Sequence, residues 1–192
     1  NFDKTLELCR IINRELSIPL LNSVNTYRLE GQKTAAFEIV EDLNGSPDFV
    51  YLPVGNAGNI SAYWMGFNEA YRLGWITSRP SMIGLQAIGA DPIVVGRPID
   101  NPETIATAIR IGNPASWKLA ENAVNESLGL IFGVSDDQII EAYNIEGMKD
   151  IGQSLQKSIL VGGIQEEQYF LLIPPKSKSE KWKYWKLANW IP

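Results

Sequence analysis

The clearest pattern for ligand chemistry is a glycine-rich run between an apolar stretch and a helical pattern. It reads Gly55-Asn56-Ala57-Gly58-Asn59. The glycines let a bound anion approach the backbone, and a helix start offers free N–H groups and a partial positive charge. The side-chain amides add donors, and Asn59 suits the N-cap position. The run predicts a phosphate site, the alternative being a tight turn without a ligand. With two glycines and no following Gly-Lys-Ser/Thr, it matches neither the dinucleotide fingerprint nor the P-loop.

Two further polar segments are candidate anion sites. The first follows a short apolar run at residues 18–21 and contains Asn22, Ser23, Asn25 and Arg28. In α/β proteins ligands gather at the carboxyl ends of strands, and one arginine beside amides and hydroxyls suits an anionic substrate. The second is the turn Gly-Asn-Pro-Ala-Ser at residues 112–116. The alternative for both is a loop or a helix cap with no ligand.

The composition excludes several classes of chemistry. The 192 residues contain no histidine and one cysteine, Cys9. Histidine-based triads, the usual catalytic zinc sites, internal disulfides and cysteine-rich metal sites are therefore excluded, and we expect no metal. The net charge of −5 argues against a nucleic-acid partner. No apolar run is long enough to span a membrane and no signal peptide is evident, so we expect no membrane association and a cytoplasmic location.

The hydrophobic pattern predicts alternating strands and helices. We expect strands at residues 18–21, 49–54, 81–87, 91–95 and 130–134. We expect helices at residues 2–16, 30–43, 60–74, 102–110, 116–127 and 135–143. This order indicates an α/β fold with a mainly parallel sheet and flanking helices. The helix after residue 59 carries an aromatic stripe that favours core packing over cofactor binding: Ile60, Trp64, Phe67 and Tyr71. The Lys33 side chain is expected to be solvated, with an ionic role as the less favoured alternative.

The composition changes near residue 147. Residues 1–146 contain 10 Lys and Arg against 18 Asp and Glu, whereas residues 147–192, the tail, contain 7 Lys against 4 acidic residues. Four aromatic residues lie close together near its end: Trp182, Tyr184, Trp185 and Trp190. A basic aromatic tail can contact membranes or nucleic acid, but we favour a tail without an evolved role.

Several segments together resemble the threonine synthase family. Residues 22–34 read NSVNTYRLEGQKT and resemble a motif of bacterial threonine synthases. Residues 52–60, LPVGNAGNI, resemble the family's cofactor-phosphate loop. Residues 84–87, GLQA, and residues 102–117, PETIATAIRIGNPASW, resemble further blocks in the same order. The similarity extends from about residue 1 to residue 143.

The resemblance implies a pyridoxal-phosphate enzyme of the tryptophan-synthase-β class, with an incomplete fold type II architecture. Such enzymes serve threonine biosynthesis and convert O-phosphohomoserine and water to threonine and phosphate. By matching position, the cofactor phosphate would be held by Gly55, Asn56, Ala57, Gly58 and Asn59. The substrate would be contacted by Asn22, Ser23, Arg28 and Asn56, with Arg28 facing its phosphate.

The resemblance also implies that residues needed for activity are missing from this sequence. In the family, the lysine that forms the Schiff base lies upstream of the motif at residue 22. Lys33 matches a different family lysine, so we assign no catalytic residue. We expect the chain to be inactive alone. The alternative is a catalytically dead phosphate-binding or interaction fragment that pairs with another polypeptide.

The resemblance divides the chain into three parts. Residues 1–28 would end the smaller domain, residues 29–146 would form part of the large cofactor-binding domain, and the tail is unassigned. The family's Glu-Pro-Ala-Ser block is absent from the tail, so the tail is a frameshifted read, a fusion or a strongly diverged segment. The abrupt change of charge and tryptophan content favours the frameshift. Apolar residues at the start would lack partners, so we expect a homodimer or association through exposed apolar surface.

Overall fold

Three parallel strands organise the described part of the chain. The structure, a computed structural model, describes residues 2–21, 25–144, 170–173 and 183–186. The helices are α1 (Phe2–Leu16), α2 (Thr26–Gln32), α3 (Thr34–Leu43), α4 (Gly58–Arg72), α5 (Pro92–Val95), α6 (Trp117–Glu126) and α7 (Asp136–Asn144). The strands are β1 (Phe49–Pro53), β2 (Ser81–Ala87), β3 (Leu130–Val134), β4 (Phe170–Ile173) and β5 (Lys183–Lys186).

The described strands form one sheet in the order β3-β2-β1-β4-β5. β1 pairs in parallel with β2, and β2 pairs in parallel with β3. β4 pairs with β1 in the antiparallel direction, with Tyr51 opposite Leu172, and β5 pairs antiparallel with β4. The parallel part matches the predicted α/β architecture. β4 and β5 lie in the tail, to which the sequence assigned no structure.

The core lies between this sheet and the helices α3, α4 and α6. α4 contributes most, because Ile60, Trp64 and Phe67 repeat at helical spacing and are buried. Their packing confirms the core prediction for these three members of the stripe. Tyr71, the fourth member of the stripe, is exposed on the last turn of α4.

Two strands and the first helix have the predicted bounds. The apolar runs at residues 81–87 and 130–134 form β2 and β3, and residues 2–16 form α1. β2 is buried along most of its length, as a central parallel strand must be. The predicted strand at residues 49–54 ends one residue early, at Pro53.

Two predicted strands are wrong. Residues 18–21 are not a strand: Ile18 and Leu21 are exposed, and this apolar run has no neighbouring strand among the described residues. Residues 91–95 contain the short helix α5 instead, with Pro92 in its first turn. The cause is the buried Gln86 side chain, whose Oε1 accepts hydrogen bonds from the N–H groups of Ile93 (3.0 Å) and Val94 (3.2 Å).

Two predicted helices also differ. The helix expected at residues 30–43 is two helices, α2 and α3, which meet at Lys33. The break brings the Lys33 carbonyl close to α4, where Gly66 has no Cβ to collide with it. The helix expected at residues 102–110 is reduced to a short 3-10 turn, Thr107–Ile109. Its first half is irregular and is held by tertiary hydrogen bonds: Asp136 accepts from the Thr104 hydroxyl (2.5 Å) and from the Ile105 N–H (3.0 Å).

Candidate functional site

The glycine-rich run lies between the end of β1 and the start of α4, as predicted. The Val54 N–H donates to the Leu85 carbonyl of β2 at 2.8 Å, which fixes the end of the strand in the sheet. The chain then turns through Ala57, whose φ of 65° is left-handed, and enters α4 at Gly58. Residues 55–59, the cradle, are all buried. The loop is therefore anchored to the sheet at one end and to α4 at the other.

The backbone N–H groups of the cradle are available to a ligand. Among the described residues, no protein acceptor takes the N–H groups of residues 55–59. The first N–H groups of a helix have no acceptor within it, so those of Gly58 and Asn59 add to the three from the loop. Several donors at a helix start form a site for an anion.

The first glycine of the cradle is required by close packing. A Cβ on Gly55 would lie 2.9 Å from Ile109 Cα and 3.2 Å from the Ala108 carbonyl oxygen. Both neighbours are backbone atoms, which cannot rotate away. Gly58 is less restricted, because the nearest atom to a Cβ there, Leu29 Cδ2, lies at 3.5 Å. Gly55 therefore lets residues 108–111 pack against the back of the loop.

Asn56 is held by the second predicted anion turn, residues 112–116, here called the clamp turn. The Asn56 side-chain oxygen accepts from the Ala115 N–H at 2.7 Å, and its backbone carbonyl accepts from the Ser116 N–H at 3.1 Å. The Asn56 Nδ2 is buried and has no partner among the described residues. The structure thus brings two separately predicted anion turns into contact.

Asn59 has a structural side chain and not the predicted capping role. Its Nδ2 donates to the Pro53 carbonyl at 2.6 Å, which ties α4 to the end of β1. The N-cap residue is Ala57, two positions earlier, and it makes no side-chain capping bond. The N-cap assignment of Asn59 is therefore wrong, because the helix begins before it. Its backbone N–H remains part of the cradle.

Gln86 is a structural residue of the site that the sequence pattern did not identify. Its Nε2 donates to the Val54 carbonyl at 3.4 Å, just before the cradle, while its Oε1 holds the start of α5. The buried polar side chain therefore links β1 and α5. Its position at the end of a buried strand, in the run GLQA, was the feature of the sequence that could have indicated this role.

The proposed substrate residues are only partly described. Asn22 and Ser23 lie outside the described residues. Arg28 lies on α2 and is half-buried, and its guanidinium makes no hydrogen bond or ion pair among the described residues. α2 packs against α4, and its Leu29 is the side chain nearest to Gly58. Arg28 is therefore on a helix that adjoins the cradle.

Asn25 starts α2. Its side-chain oxygen accepts from the Tyr27 N–H at 3.0 Å, and its Nδ2 donates to the Leu20 carbonyl at 3.1 Å. This is the capping role expected of asparagine before a helix. Both polar ends of the side chain are occupied, so Asn25 has a structural role.

Lys33 has an ionic role, contrary to the expectation of a solvated side chain. Its Nζ lies 2.6 Å from Glu30 Oε2 and 2.7 Å from Glu69 Oε2. Its hydrogen bond to Glu30, and to a smaller extent its hydrogen bond to Glu69, raise the pKa of Lys33 above the usual value. The three side chains line a surface groove of about 520 Å³ with Arg72, Arg79 and others, but no residue of the cradle lines it. This groove is therefore separate from the anion site.

The described residues contain neither a metal-binding cluster nor a membrane-spanning helix. No group of three or more Cys, Asp or Glu side chains there is arranged to hold a metal ion. No helix in that part of the chain is both long and apolar enough to cross a membrane.

The sequence matches known proteins along most of its length. A family model described as "Pyridoxal-phosphate dependent enzyme" matches residues 1–145. The chain is 55% identical over 146 residues to a protein named threonine synthase from Mycobacterium tuberculosis, covering 76% of this chain and 41% of that protein. It is 54% identical over 145 residues to one from Synechocystis, covering 76% and 38%. For one from Methanocaldococcus jannaschii the identity is 49% over 159 residues, covering 78% and 39%.

The chain thus spans about two fifths of the length of these curated relatives. A crystal structure of a threonine deaminase from T.th. resembles it with a TM-score of 0.58 at 19% identity, covering 82% of this chain and 54% of that one. At this identity the likeness concerns the fold, and it agrees with the α/β architecture described above.

Proposed function

Because the chain belongs to the family of pyridoxal-phosphate dependent enzymes, we propose that it forms the central part of a threonine synthase. The proposed reaction converts O-phosphohomoserine and water to threonine and phosphate. The relatives that carry the name threonine synthase support this assignment. The proposed location is the cytoplasm, in keeping with a biosynthetic reaction of small phosphorylated metabolites.

The observation that carries the proposal is the set of free donors in the cradle. Five consecutive backbone N–H groups have no acceptor among the described residues, and the Asn56 amide adds a buried donor. Such a set fits the phosphate of pyridoxal phosphate, which would be held by residues 55–59. The bound cofactor supplies an electron sink, and the protein supplies binding and orientation.

The substrate phosphate needs a cation, and Arg28 is the proposed partner. A guanidinium binds a phosphate through two parallel hydrogen bonds, and Arg28 has no competing carboxylate among the described residues. The remaining proposed contacts come from Asn22, Ser23 and Asn56. In this arrangement the two phosphates bind on adjacent elements, the cofactor phosphate at the start of α4 and the substrate phosphate at α2.

A polypeptide of these 192 residues alone is proposed to be inactive. A lysine that attacks an aldehyde must be neutral, and enzymes achieve this by lowering its pKa. Lys33 has the opposite environment, since Glu30 and Glu69 hold it in the charged form. Lys4 and Lys118 are exposed on the surface of α1 and α6. None of these three lysines suits a covalent link to the cofactor.

The test adds pyridoxal phosphate to the chain alone and to the chain mixed with the N-terminal part of a related threonine synthase. We expect equilibrium dialysis to detect cofactor binding in both samples. The absorbance band of lysine-linked cofactor, and phosphate release from O-phosphohomoserine, should appear only in the mixture. Phosphate release by the chain alone would contradict its inactivity. Absence of cofactor binding in both samples would refute the proposed function and favour an interaction fragment.

The substrate role of Arg28 is tested in the same mixture. A charge-assisted hydrogen bond contributes about 1.5–3 kcal/mol, so Arg28→Gln should lower kcat/KM for O-phosphohomoserine roughly tenfold or more. Cofactor binding should be unchanged. Arg97→Gln, at an exposed arginine, is the matched control and should behave as the unaltered chain. Equal kcat/KM values for the two variants would remove Arg28 from the substrate site.

The apolar residues at the start of the chain support association as part of the proposal. Several large side chains there are exposed: Leu8, Ile11, Ile12, Leu16, Ile18 and Leu21. Apolar surface of this kind favours contact with another chain. We expect dimers or larger species in size-exclusion chromatography that increase with protein concentration. A monomer at all concentrations would count against this surface.

The division of the chain into parts also remains a proposal: residues 1–28, residues 29–146 and the tail. The helix α2 runs through the first boundary. Limited proteolysis should therefore cut before α2, within the irregular residues 17–21, and not after Arg28. The family match ends at residue 145, close to the second boundary.

A further inference from the structure

The orientation of the Asn56 side chain is set by residues far along the chain. The Ala115 N–H meets one end of the Asn56 amide at 2.7 Å, across a separation of 59 residues. A backbone N–H can only donate, so the atom facing it must be the amide oxygen. The Ser116 N–H fixes the Asn56 main chain as well, by donating to its carbonyl at 3.1 Å. Rotation of the amide would place two donors against each other and is therefore disfavoured.

This orientation leaves a donor without an acceptor inside the site. Asn56 is only 2% exposed, and its Nδ2 has no partner among the described residues. A buried polar atom without a partner costs about 1–3 kcal/mol, and a ligand that completes the bonding removes that cost. A donor requires an acceptor, and the neighbouring backbone N–H groups favour a negatively charged one. A phosphate oxygen meets both requirements.

We propose that Ala115 and Ser116 are positioning residues that present Asn56 Nδ2 as a donor to a phosphate group in the cradle. This inference rests on the proposed function, because the phosphate is the one that this site would bind. It goes further by assigning the clamp turn a role in ligand binding. The phosphate group belongs either to pyridoxal phosphate or to O-phosphohomoserine.

The clamp turn is itself held firmly, which suits a positioning role. The Ile99 N–H donates to the Gly112 carbonyl at 2.9 Å, and the Ile111 side chain is buried. Upstream, residues 108–111 lie against Gly55 without room for a methyl group. The turn therefore cannot move without disturbing two consecutive residues of the cradle.

The experiment uses the full 192-residue chain labelled with nitrogen-15. Inorganic phosphate, pyridoxal phosphate and O-phosphohomoserine are added in separate NMR titrations. The Asn56 side-chain signals are identified by their loss in Asn56→Asp. We expect these signals to move on addition of inorganic phosphate. The ligand that moves them at the lowest concentration, pyridoxal phosphate or O-phosphohomoserine, is the source of the bound phosphate.

Three variants separate positioning from a general structural effect. Asn56→Asp keeps an oxygen for the Ala115 N–H but replaces the donor with a charged acceptor. The affinity for phosphate should therefore fall at least tenfold, while the Ala115 amide should still exchange slowly with deuterium. Asn56→Leu removes both the side-chain oxygen and the donor, and the Ala115 amide should therefore exchange faster. Ala115→Pro removes the N–H and should weaken phosphate binding several-fold. If Ala115→Pro does not fold, the two Asn56 variants still decide.

The outcomes also separate this inference from the proposed function. If the unaltered chain binds neither phosphate nor cofactor, the proposed function fails, but the exchange rate of the Ala115 amide still tests the clamp. If the unaltered chain binds phosphate and the Asn56 signals do not move, only the positioning role is overturned. An equal exchange rate of the Ala115 amide in Asn56→Leu and in the unaltered chain would also overturn the positioning role.

Discussion

Adding one methyl group at Gly55 is expected to damage both the fold and the anion site. In Gly55→Ala the new Cβ would lie 2.9 Å from Ile109 Cα and 3.2 Å from the Ala108 carbonyl oxygen. Ordinary carbon contacts are about 3.5–4.0 Å, so the loop or its neighbour must move by about 0.6 Å or more. Overpacking of this kind costs about 1–3 kcal/mol. We expect the free energy of unfolding, measured in urea, to fall by that amount.

The same displacement should weaken anion binding. A hydrogen bond near 2.9 Å that lengthens by about 0.6 Å leaves the normal range, and each lost bond costs about 1 kcal/mol. Misalignment of one or two cradle N–H groups should therefore lower the affinity for inorganic phosphate roughly tenfold, measured by isothermal titration calorimetry.

Two other glycines provide matched controls. Gly58→Ala adds the same methyl group to the same loop, but its nearest neighbour is at 3.5 Å, so the free energy of unfolding should hardly change. Gly31→Ala lies on α2 with nothing within 4 Å, and should raise stability by about 0.5–1 kcal/mol with unchanged phosphate affinity. If Gly55→Ala matches the unaltered chain in both measurements, the close contact with residues 108–111 does not exist in solution.

Two further predictions concern the core around α4. Gly66→Ala should lower the free energy of unfolding by about 2–3 kcal/mol despite the better helix propensity of alanine, because its Cβ would collide with the Lys33 carbonyl and with Ala36 Cβ. An equal free energy of unfolding in urea for the variant and the unaltered chain would contradict this packing. Tyr63→Phe should raise that free energy by about 1 kcal/mol at pH 7, because it removes a buried hydroxyl that has no partner among the described residues. Burial also raises the pKa of Tyr63 above its usual value of 10.0, so the unaltered chain loses stability as the pH rises above 10. The stability loss above pH 10 that comes from Tyr63 should be absent in Tyr63→Phe. A Tyr63→Phe variant that is less stable than the unaltered chain at every pH would refute the reasoning.

The parts of the fold that follow from local sequence are those with a strong pattern of their own. β2 and β3 are apolar runs of five to seven residues in a parallel sheet, and their bounds were predicted correctly. The cradle was also located correctly, because a strand, a glycine-rich turn and a helix start are all local features. The approach of the clamp turn to it is not local, since hydrophobic periodicity contains no information about contacts 59 residues apart.

The errors occur where distant side chains decide the backbone. Residues 102–110 carry a proline suited to a helix start, but the Asp136 carboxylate accepts hydrogen bonds from the Thr104 hydroxyl and the Ile105 N–H and holds them in a non-helical segment. Residues 91–95 carry strand-forming valines, but Gln86 takes the N–H groups that begin α5 instead. In both places a buried or half-buried polar side chain outweighs a weak local preference. Such contacts become predictable only when the fold is known.

The tail has a structural consequence for the sheet that its composition did not predict. β1 is the edge strand of the family-matching part of the sheet, yet its Val50 and Leu52 are fully buried. β2 occupies one edge of β1, and a free second edge would present unpaired N–H and carbonyl groups to other chains. β4 fills part of that edge, in the antiparallel direction and from outside the residues that match the family. Antiparallel pairing needs no crossover helix, so β4 and β5 can protect the strand that leads into the cradle although they lie outside the family match. The tail can therefore stabilise this sheet edge without contributing any residue to the anion site described here.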